Sequence, residues 1–212
     1  MKKLEEYVRS IPDFPEKGII FRDVTSVLQD ADGLHLAIDT MQEKIKDLDY
    51  DVVVGPESRG FIFGTPIAYN NHKPFVLIRK KGKLPRETVS ATYDLEYGSA
   101  TIEMHKDSIK PGQKVVVVED LVSTGKSSLK AVEALRMAGA DVVGMVAIFT
   151  YEFPQAVEAF EKAGVELVTL SGYSAMIKAA VETKYIKASD EAQLQLWRED
   201  PENWTPAVVN ID

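Results

Sequence analysis

Val115-Val116-Val117-Val118-Glu119-Asp120-Leu121-Val122-Ser123-Thr124-Gly125-Lys126-Ser127-Ser128 is the stretch whose reading decides the fold. Four β-branched residues in succession suit a strand buried on both faces, the kind found in parallel sheets. The strand ends in two adjacent acids, a tight turn of Ser, Thr and Gly follows, and a helix is predicted from about Ser127. In an open parallel sheet, ligands bind outside the carboxyl ends of the strands, which is where this turn lies. A helix N-terminus there offers unpaired N–H groups and the positive end of the helix dipole, and Ser123, Thr124 and Ser127 add hydroxyl donors. Together they can cradle a phosphate monoester without an arginine. Glu119 and Asp120 then face the sugar that carries the phosphate.

Two rival readings compete for this turn. Gly125-Lys126-Ser127 looks like the end of a nucleotide-binding P-loop, but that motif requires a glycine where this chain has Asp120. An ordinary strand-to-helix turn with Ser and Thr as caps is the commoner fate of such residues. Against it stand Glu119 and Asp120, because neighbouring carboxylates repel and need a partner, and a turn that only caps a helix has no use for them.

Outward from the turn, further short apolar runs at 51–55, 74–78, 142–148 and 165–170 read as strands. Between them, Leu34 to Leu48, Phe61 to Asn71, Ser127 to Ala138 and Phe153 to Ala163 carry apolar residues at three- and four-residue spacing, with Gly139 and Gly164 where helix C-caps belong. Strand and helix in alternation predict an α/β fold, a parallel sheet with helices on both faces. Three stretches break the rhythm. Residues 11–24 are too rich in Pro and Gly for a helix. Residues 79–98 read as a long basic and polar loop, a length usual for functional lids. The tail, 171–212, reads as a helix near Tyr173 to Glu182, another near Asp190 to Glu199, and an irregular end.

With 212 residues and 45% apolar content, one domain spanning 1–212 is expected. The absence of cysteine removes disulfides, thiolate metal sites and a cysteine nucleophile, so the chemistry must come from oxygen, nitrogen and backbone groups. The N-terminus lacks the apolar run of a secretion signal, and no stretch reaches membrane-spanning length, so a soluble, cytoplasmic protein is expected. A net charge of -8 argues against nucleic acid as a partner and leaves room for a compact anion.

A second anion-accepting turn is expected in Gly55-Pro56-Glu57-Ser58-Arg59-Gly60-Phe61, which follows a predicted strand and opens a helix. With Arg79-Lys80-Lys81-Gly82-Lys83 it forms a basic cluster in an acidic protein, which suits a pyrophosphate carried with magnesium. Most charge runs of this kind are simply solvated loops.

The stretch from Val115 to Ser127 resembles the phosphoribosyl pyrophosphate (PRPP) motif of type I phosphoribosyltransferases. That resemblance implies that Glu119 and Asp120 hydrogen-bond the ribose 2′ and 3′ hydroxyls and that Ser123, Thr124, Gly125, Lys126 and Ser127 bind the 5′-phosphate. The first half is similar to adenine phosphoribosyltransferases in Asp13-Phe14-Pro15, Gly18-Ile19-Ile20-Phe21-Arg22-Asp23, Ser58-Arg59-Gly60-Phe61, Arg79-Lys80-Lys81-Gly82-Lys83-Leu84-Pro85 and Tyr93-Asp94-Leu95-Glu96-Tyr97-Gly98. The likeness implies a small N-terminal hood over the base at 11–24, with Ile20, Phe21 and Arg22 reading its edge. It also implies a mobile loop at 79–98 carrying Glu96 as proton acceptor, with Ser58, Arg59, Arg79, Lys80 and Lys83 around the pyrophosphate. Asp120, Lys83 and Glu96 are the expected catalytic residues, and magnesium is expected to be held by PRPP rather than by protein ligands.

The second half looks instead like orotate phosphoribosyltransferases in Glu119 to Gly125, Val143 to Tyr151 and the tail around Trp197 and Trp204. The change falls near residues 105–118 and gives a chimera-like pattern, natural or engineered. Trp197 and Trp204 are expected to anchor the tail. Because hood and loop lie in the adenine-type half, transfer of the phosphoribosyl group to adenine is the favoured activity, giving AMP and pyrophosphate. Orotate is the runner-up. A PRPP-sensing regulator and a hybrid with weak or no turnover are the other readings. A homodimer is expected by resemblance.

Overall fold

Val115 and Val117 pack on one side of the main sheet and Val116 and Val118 on the other, and all four are completely buried. Successive side chains of a strand alternate between faces, so a run of valines is what a strand covered on both sides requires. The computed structural model describes residues 3–12, 20–94, 99–184 and 186–201. In chain order the elements are β1 (Arg9–Pro12), β2 (Ile20–Asp23), α1 (Ala31–Ile45), β3 (Val52–Pro56), α2 (Arg59–Asn70), β4 (Phe75–Lys80), β5 (Thr88–Asp94), β6 (Ser99–His105), β7 (Lys114–Val122), α3 (Lys126–Met137), β8 (Asp141–Thr150), α4 (Pro154–Ala163), β9 (Leu167–Gly172), α5 (Tyr173–Glu182) and α6 (Glu191–Glu199).

The seven strands of the main sheet lie in the order β5-β6-β4-β3-β7-β8-β9. Strands β4, β3, β7, β8 and β9 run parallel, whereas β6 is antiparallel to β4 and β5 is antiparallel to β6. The sheet is therefore mixed, and the wholly parallel sheet expected from sequence holds only for its central and C-terminal part. The departure lies in 79–98, which is not one long loop. Arg79 and Lys80 complete β4, and Thr88–Asp94 pairs with Ser99–His105 as a hairpin. The apolar positions of β5, Val89, Ala91 and Tyr93, alternate with polar ones, so only one face packs on the body and its sequence lacks the continuous apolar run of a central strand.

Two cores flank the sheet. Met41 and Ile45 of α1, Phe63 and Ile67 of α2, and Met176 and Ile177 of α5 cover one face. Ala131, Val132 and Leu135 of α3 and Phe160 of α4 cover the other. Helix α1 starts at Ala31, three residues before the predicted Leu34, because the Asp30 carboxylate accepts from the Asp32 and Gly33 N–H groups at 2.9 and 3.1 Å and caps the helix there.

Strands β1 and β2 form a separate antiparallel pair, with Ile11 opposite Phe21 and Pro12 opposite Ile20. Hood residues 13–19 lie outside the described residues, as do 95–98 and 202–212. Helix α6 has no fully buried residue and docks through Trp197, whose ring lies 5.1 Å from Tyr173, 5.6 Å from Phe153 and 6.0 Å from Tyr151. Among the described residues no helix is long and apolar enough to cross a membrane.

Candidate active site

The alternation that buries the valines also sorts the two acids. Glu119 continues the face of Val115 and Val117, and Asp120 continues that of Val116 and Val118, so each side chain takes its partner from a different covering helix. Ser128 of α3 donates to Glu119 Oε1 at 3.1 Å. From α2, Arg59 brings its Nε to 2.7 Å from Asp120 Oδ2. No hydrogen bond of acceptable geometry reaches that oxygen, so this contact is an ion pair rather than a directed bond. Both acids are buried, at 7% and 6% exposure, which is rare for carboxylates and marks a functional site more often than a structural one. Burial, reinforced by the charge of Asp120, pushes the Glu119 carboxyl up to about 8 against the opposing Ser128 hydrogen bond. Burial also raises Asp120, and the Arg59 charge opposes it.

Close approach of α2 to the sheet places Arg59. A Cβ on Gly60 would lie 2.7 Å from the Val118 carbonyl oxygen, so only glycine lets the first turn of α2 rest on the middle of β7.

At the turn itself, Gly125 adopts φ 77°, the left-handed region open to glycine, and is the N-cap residue of α3. Helix α3 has no side-chain cap, and neither the Ser123 nor the Ser127 hydroxyl bonds to the described residues. The capping reading of these residues is thereby set aside, and the N–H groups of the first turn remain open for an anion. Helix α2 likewise starts at Ser58 without a side-chain cap. Strand β3 pairs with both β7 and β4, so the two uncapped helix starts lie at neighbouring strand ends. The Glu57–Ser58 peptide bond is cis.

The basic cluster is arranged differently from expectation. Arg79 is engaged by Glu57, with Nε 3.2 Å from Oε2, and its Nη1 donates to the Lys83 carbonyl at 3.2 Å. Glu57 Oε2 also accepts from the Lys80 N–H at 3.0 Å. The Arg79 and Lys80 hydrogen bonds hold the Glu57 carboxyl below the usual carboxylate range. Lys80 and Lys83 are exposed, and Arg59 keeps 42% of its side chain open beside Asp120. One turn further, the buried Glu103 of β6 accepts from the Gly82 N–H at 2.9 Å.

Sequence reasoning thus brought together Glu119, Asp120, Arg59, Ser58 and the turn from Ser123 to Ser127, and it missed Ser128, Glu57 and Glu103. Glu57 carried a signal, an acid inside a turn expected to accept an anion. Ser128 and Glu103 carried none, because their partners are fixed by tertiary packing. Ile20, Phe21 and Arg22 lie on β2, and Glu96 lies outside the described residues. A cavity of about 870 Å³ runs along α3 and α4 and borders the turn only at Thr124 and Lys126, so it does not contain the acids.

Fold and turn define a class, that of open α/β proteins with an uncapped strand-to-helix turn next to a buried acidic pair. Comparison with known proteins carries the class further. The phosphoribosyl transferase domain matches residues 24–181. An adenine phosphoribosyltransferase of Lachnoclostridium phytofermentans is 65% identical over 152 residues, 72% of this chain and 87% of that protein. Another, of Clostridium perfringens, is 45% identical over 170 residues, 80% of this chain and 98% of that one. The crystal structure of adenine phosphoribosyltransferase from Thermoanaerobacter pseudethanolicus matches with a TM-score of 0.75 at 37% identity, covering 81% of this chain and all of that one. The chain belongs to the phosphoribosyl transferase family, among the adenine phosphoribosyltransferases.

The expected change of resemblance near residues 105–118 finds no support here. A likeness to an adenine enzyme that takes in 170 residues of this chain cannot end before residue 170. The reason is chemical. The turn after β7, on which the second resemblance partly rested, is expected from both resemblances to serve the sugar phosphate, so its sequence does not distinguish one base from another.

Proposed function

We infer that the protein transfers the 5-phosphoribosyl group of PRPP to adenine, giving AMP and pyrophosphate. The observation that carries this reading is the pair of buried acids, Glu119 and Asp120, set between two uncapped helix starts at adjacent strand ends. One helix start suits the 5′-phosphate and the other the pyrophosphate, with the ribose hydroxyls between them at the acids.

In this reading Ser123 to Ser127 hold the 5′-phosphate, and Arg59 ties the sugar to the leaving group, its Nε on Asp120 and its exposed edge toward pyrophosphate. The bond from C1′ to the pyrophosphate oxygen breaks with its electron pair leaving on pyrophosphate, and a ring nitrogen of adenine forms the new bond at C1′. Lys80 and Lys83 neutralise the leaving group, and Glu96 accepts the proton released by the base. Positioning and charge stabilisation supply most of the acceleration, since no protein nucleophile is required. The segment 11–24 as a hood over the base and 79–98 as a closing loop belong to the same proposal.

Among the described residues no group of three or more His, Cys, Asp or Glu converges. In this reading magnesium is carried by the oxygens of PRPP rather than by protein ligands. Bound there, magnesium would add neutralising charge to the pyrophosphate. A cytoplasmic homodimer is part of the proposal as well, and the exposed Ile62 and Tyr69 on α2 offer apolar surface for a second copy.

The test is pyrophosphate release from PRPP and magnesium with adenine or orotate supplied separately, with Asp120→Ala alongside. Release with adenine, abolished in Asp120→Ala, is expected. Orotate, the runner-up on sequence, is not favoured, and release with orotate alone would overturn the assignment. PRPP binding without turnover on either base would point to the sensing or hybrid readings.

A further inference from the structure

Asp120 meets a charge, whereas Glu119 meets a hydroxyl, and that hydroxyl belongs to a residue outside the phosphate cradle. Ser128 is only 2% exposed. It stands on the buried stripe of α3 with Ala131, Val132 and Leu135, at a position where the helix periodicity calls for an apolar side chain. A polar group on such a stripe must find a partner, and the partner is Glu119 Oε1 at 3.1 Å. The serine therefore reaches back to the strand instead of capping its own helix.

We propose that Ser128 is a positioning residue, which ties one oxygen of Glu119 to α3 and so presents the other to the ribose hydroxyls of PRPP. The proposal rests on the reading that Glu119 meets the ribose. A glutamate has three side-chain torsions to order before it can hold a hydroxyl, and a bond to a buried, rigid helix orders them before the substrate arrives. The benefit falls on PRPP binding. In that reading adenine meets the hood rather than this pair.

Calorimetric titration with PRPP and magnesium, without adenine, over about pH 6 to 9 tests this for the wild type, Ser128→Ala, Ser128→Thr, Glu119→Ala and the double variant Ser128→Ala/Glu119→Ala. Losing a hydrogen bond to a carboxylate should weaken PRPP by about tenfold in Ser128→Ala. Ser128→Thr should restore most of the affinity, and the double variant should bind no more weakly than Glu119→Ala alone. The charged groups facing Glu119 are Asp120 on the same strand and Arg59 from α2, and both remain in Ser128→Ala. The pH midpoint of binding should therefore move upward in that variant, because a bond favouring the charged carboxylate is gone. A merely structural serine would lower the unfolding temperature and leave that midpoint unchanged. Should the alanine variant unfold, Ser128→Cys keeps the volume with a weaker donor and reads the same quantities. Wild-type affinity in Ser128→Ala together with weak binding in Glu119→Ala overturns the proposal, as does a further loss in the double variant. Wild-type affinity in Glu119→Ala overturns instead the reading beneath it.

Discussion

Glu119 is the residue at which function works against stability. Its carboxyl titrates near 4.5 when exposed and is pushed up to about 8 in the fold. Below pH 4.5 both states are protonated and the residue is neutral in its effect. Between 4.5 and about 8 the unfolded chain gives up the proton that the folded chain keeps, so stability falls as pH rises through that window and levels off above it. Glu119→Gln removes the titration. Its unfolding temperature at pH 8 should exceed that of the wild type by about 5 °C, and the two should converge near pH 4.5, with a remaining slope in the same direction from Asp120, whose carboxyl is also raised. Scanning calorimetry across pH 4 to 9, a range set around these values, checks it, and PRPP binding by the variant should be weakened. A stabilised variant that binds its substrate less well is what a buried acid kept for its ligand predicts.

Among the elements, α2 depends on how closely it can lie on β7. Gly60→Ala would place a methyl group 2.7 Å from the Val118 carbonyl oxygen, and neither backbone can give way without shifting the other. The first turn of α2 must then lift, carrying Arg59 away from Asp120. Overpacking of this sort destabilises by about 1–3 kcal/mol. A displacement of about 1 Å at the site should lower turnover by roughly a hundredfold. Denaturant unfolding and steady-state kinetics with PRPP and adenine measure the two effects separately. The hairpin of β5 and β6 illustrates what local sequence conceals at this scale. Its strands are half-exposed and weakly apolar, so their mutual pairing, the pairing of β6 with β4 and the anchoring of Gly82 by the buried Glu103 turn a polar stretch into sheet. The β7–α3 turn is the opposite case. Strand, acids, glycine and helix start are contiguous, and every one of them was legible.

For the whole molecule, the C-terminal helix α6 lies outside the family match. The family match ends at Val181, and the solved structure from Thermoanaerobacter is covered along its full length by 81% of this chain. Helix α6 is tied back by Trp197 in the cluster with Tyr151, Phe153 and Tyr173, and by Arg198, which donates to Ser174 Oγ at 2.7 Å and approaches Glu152 Oε2 at 3.4 Å. Glu152 in turn accepts from the Ser174 N–H at 2.9 Å in the first turn of α5. A chain ending at Lys187 should keep PRPP-dependent transfer to adenine while its unfolding temperature falls by about 5 °C, and Trp197→Ala in the full chain should lose about 2 kcal/mol. Unchanged stability in both would mean that α6 adds nothing to the body it covers.

The sequence by itself determined the doubly wound core, the glycine turn from β7 to α3 and the acids beside it. Each of these is written in neighbouring residues, through the two-residue period of strands, the spacing of helices and the glycine that a left-handed turn needs. Tertiary structure alone decided that Glu119 answers to Ser128 and Asp120 to Arg59, that Arg79 turns to Glu57, and that the N-terminal side of the sheet closes with an antiparallel hairpin. Those pairings join segments distant in sequence. Which polar group meets which is set by the register and closeness of packed elements, and no local pattern carries that information.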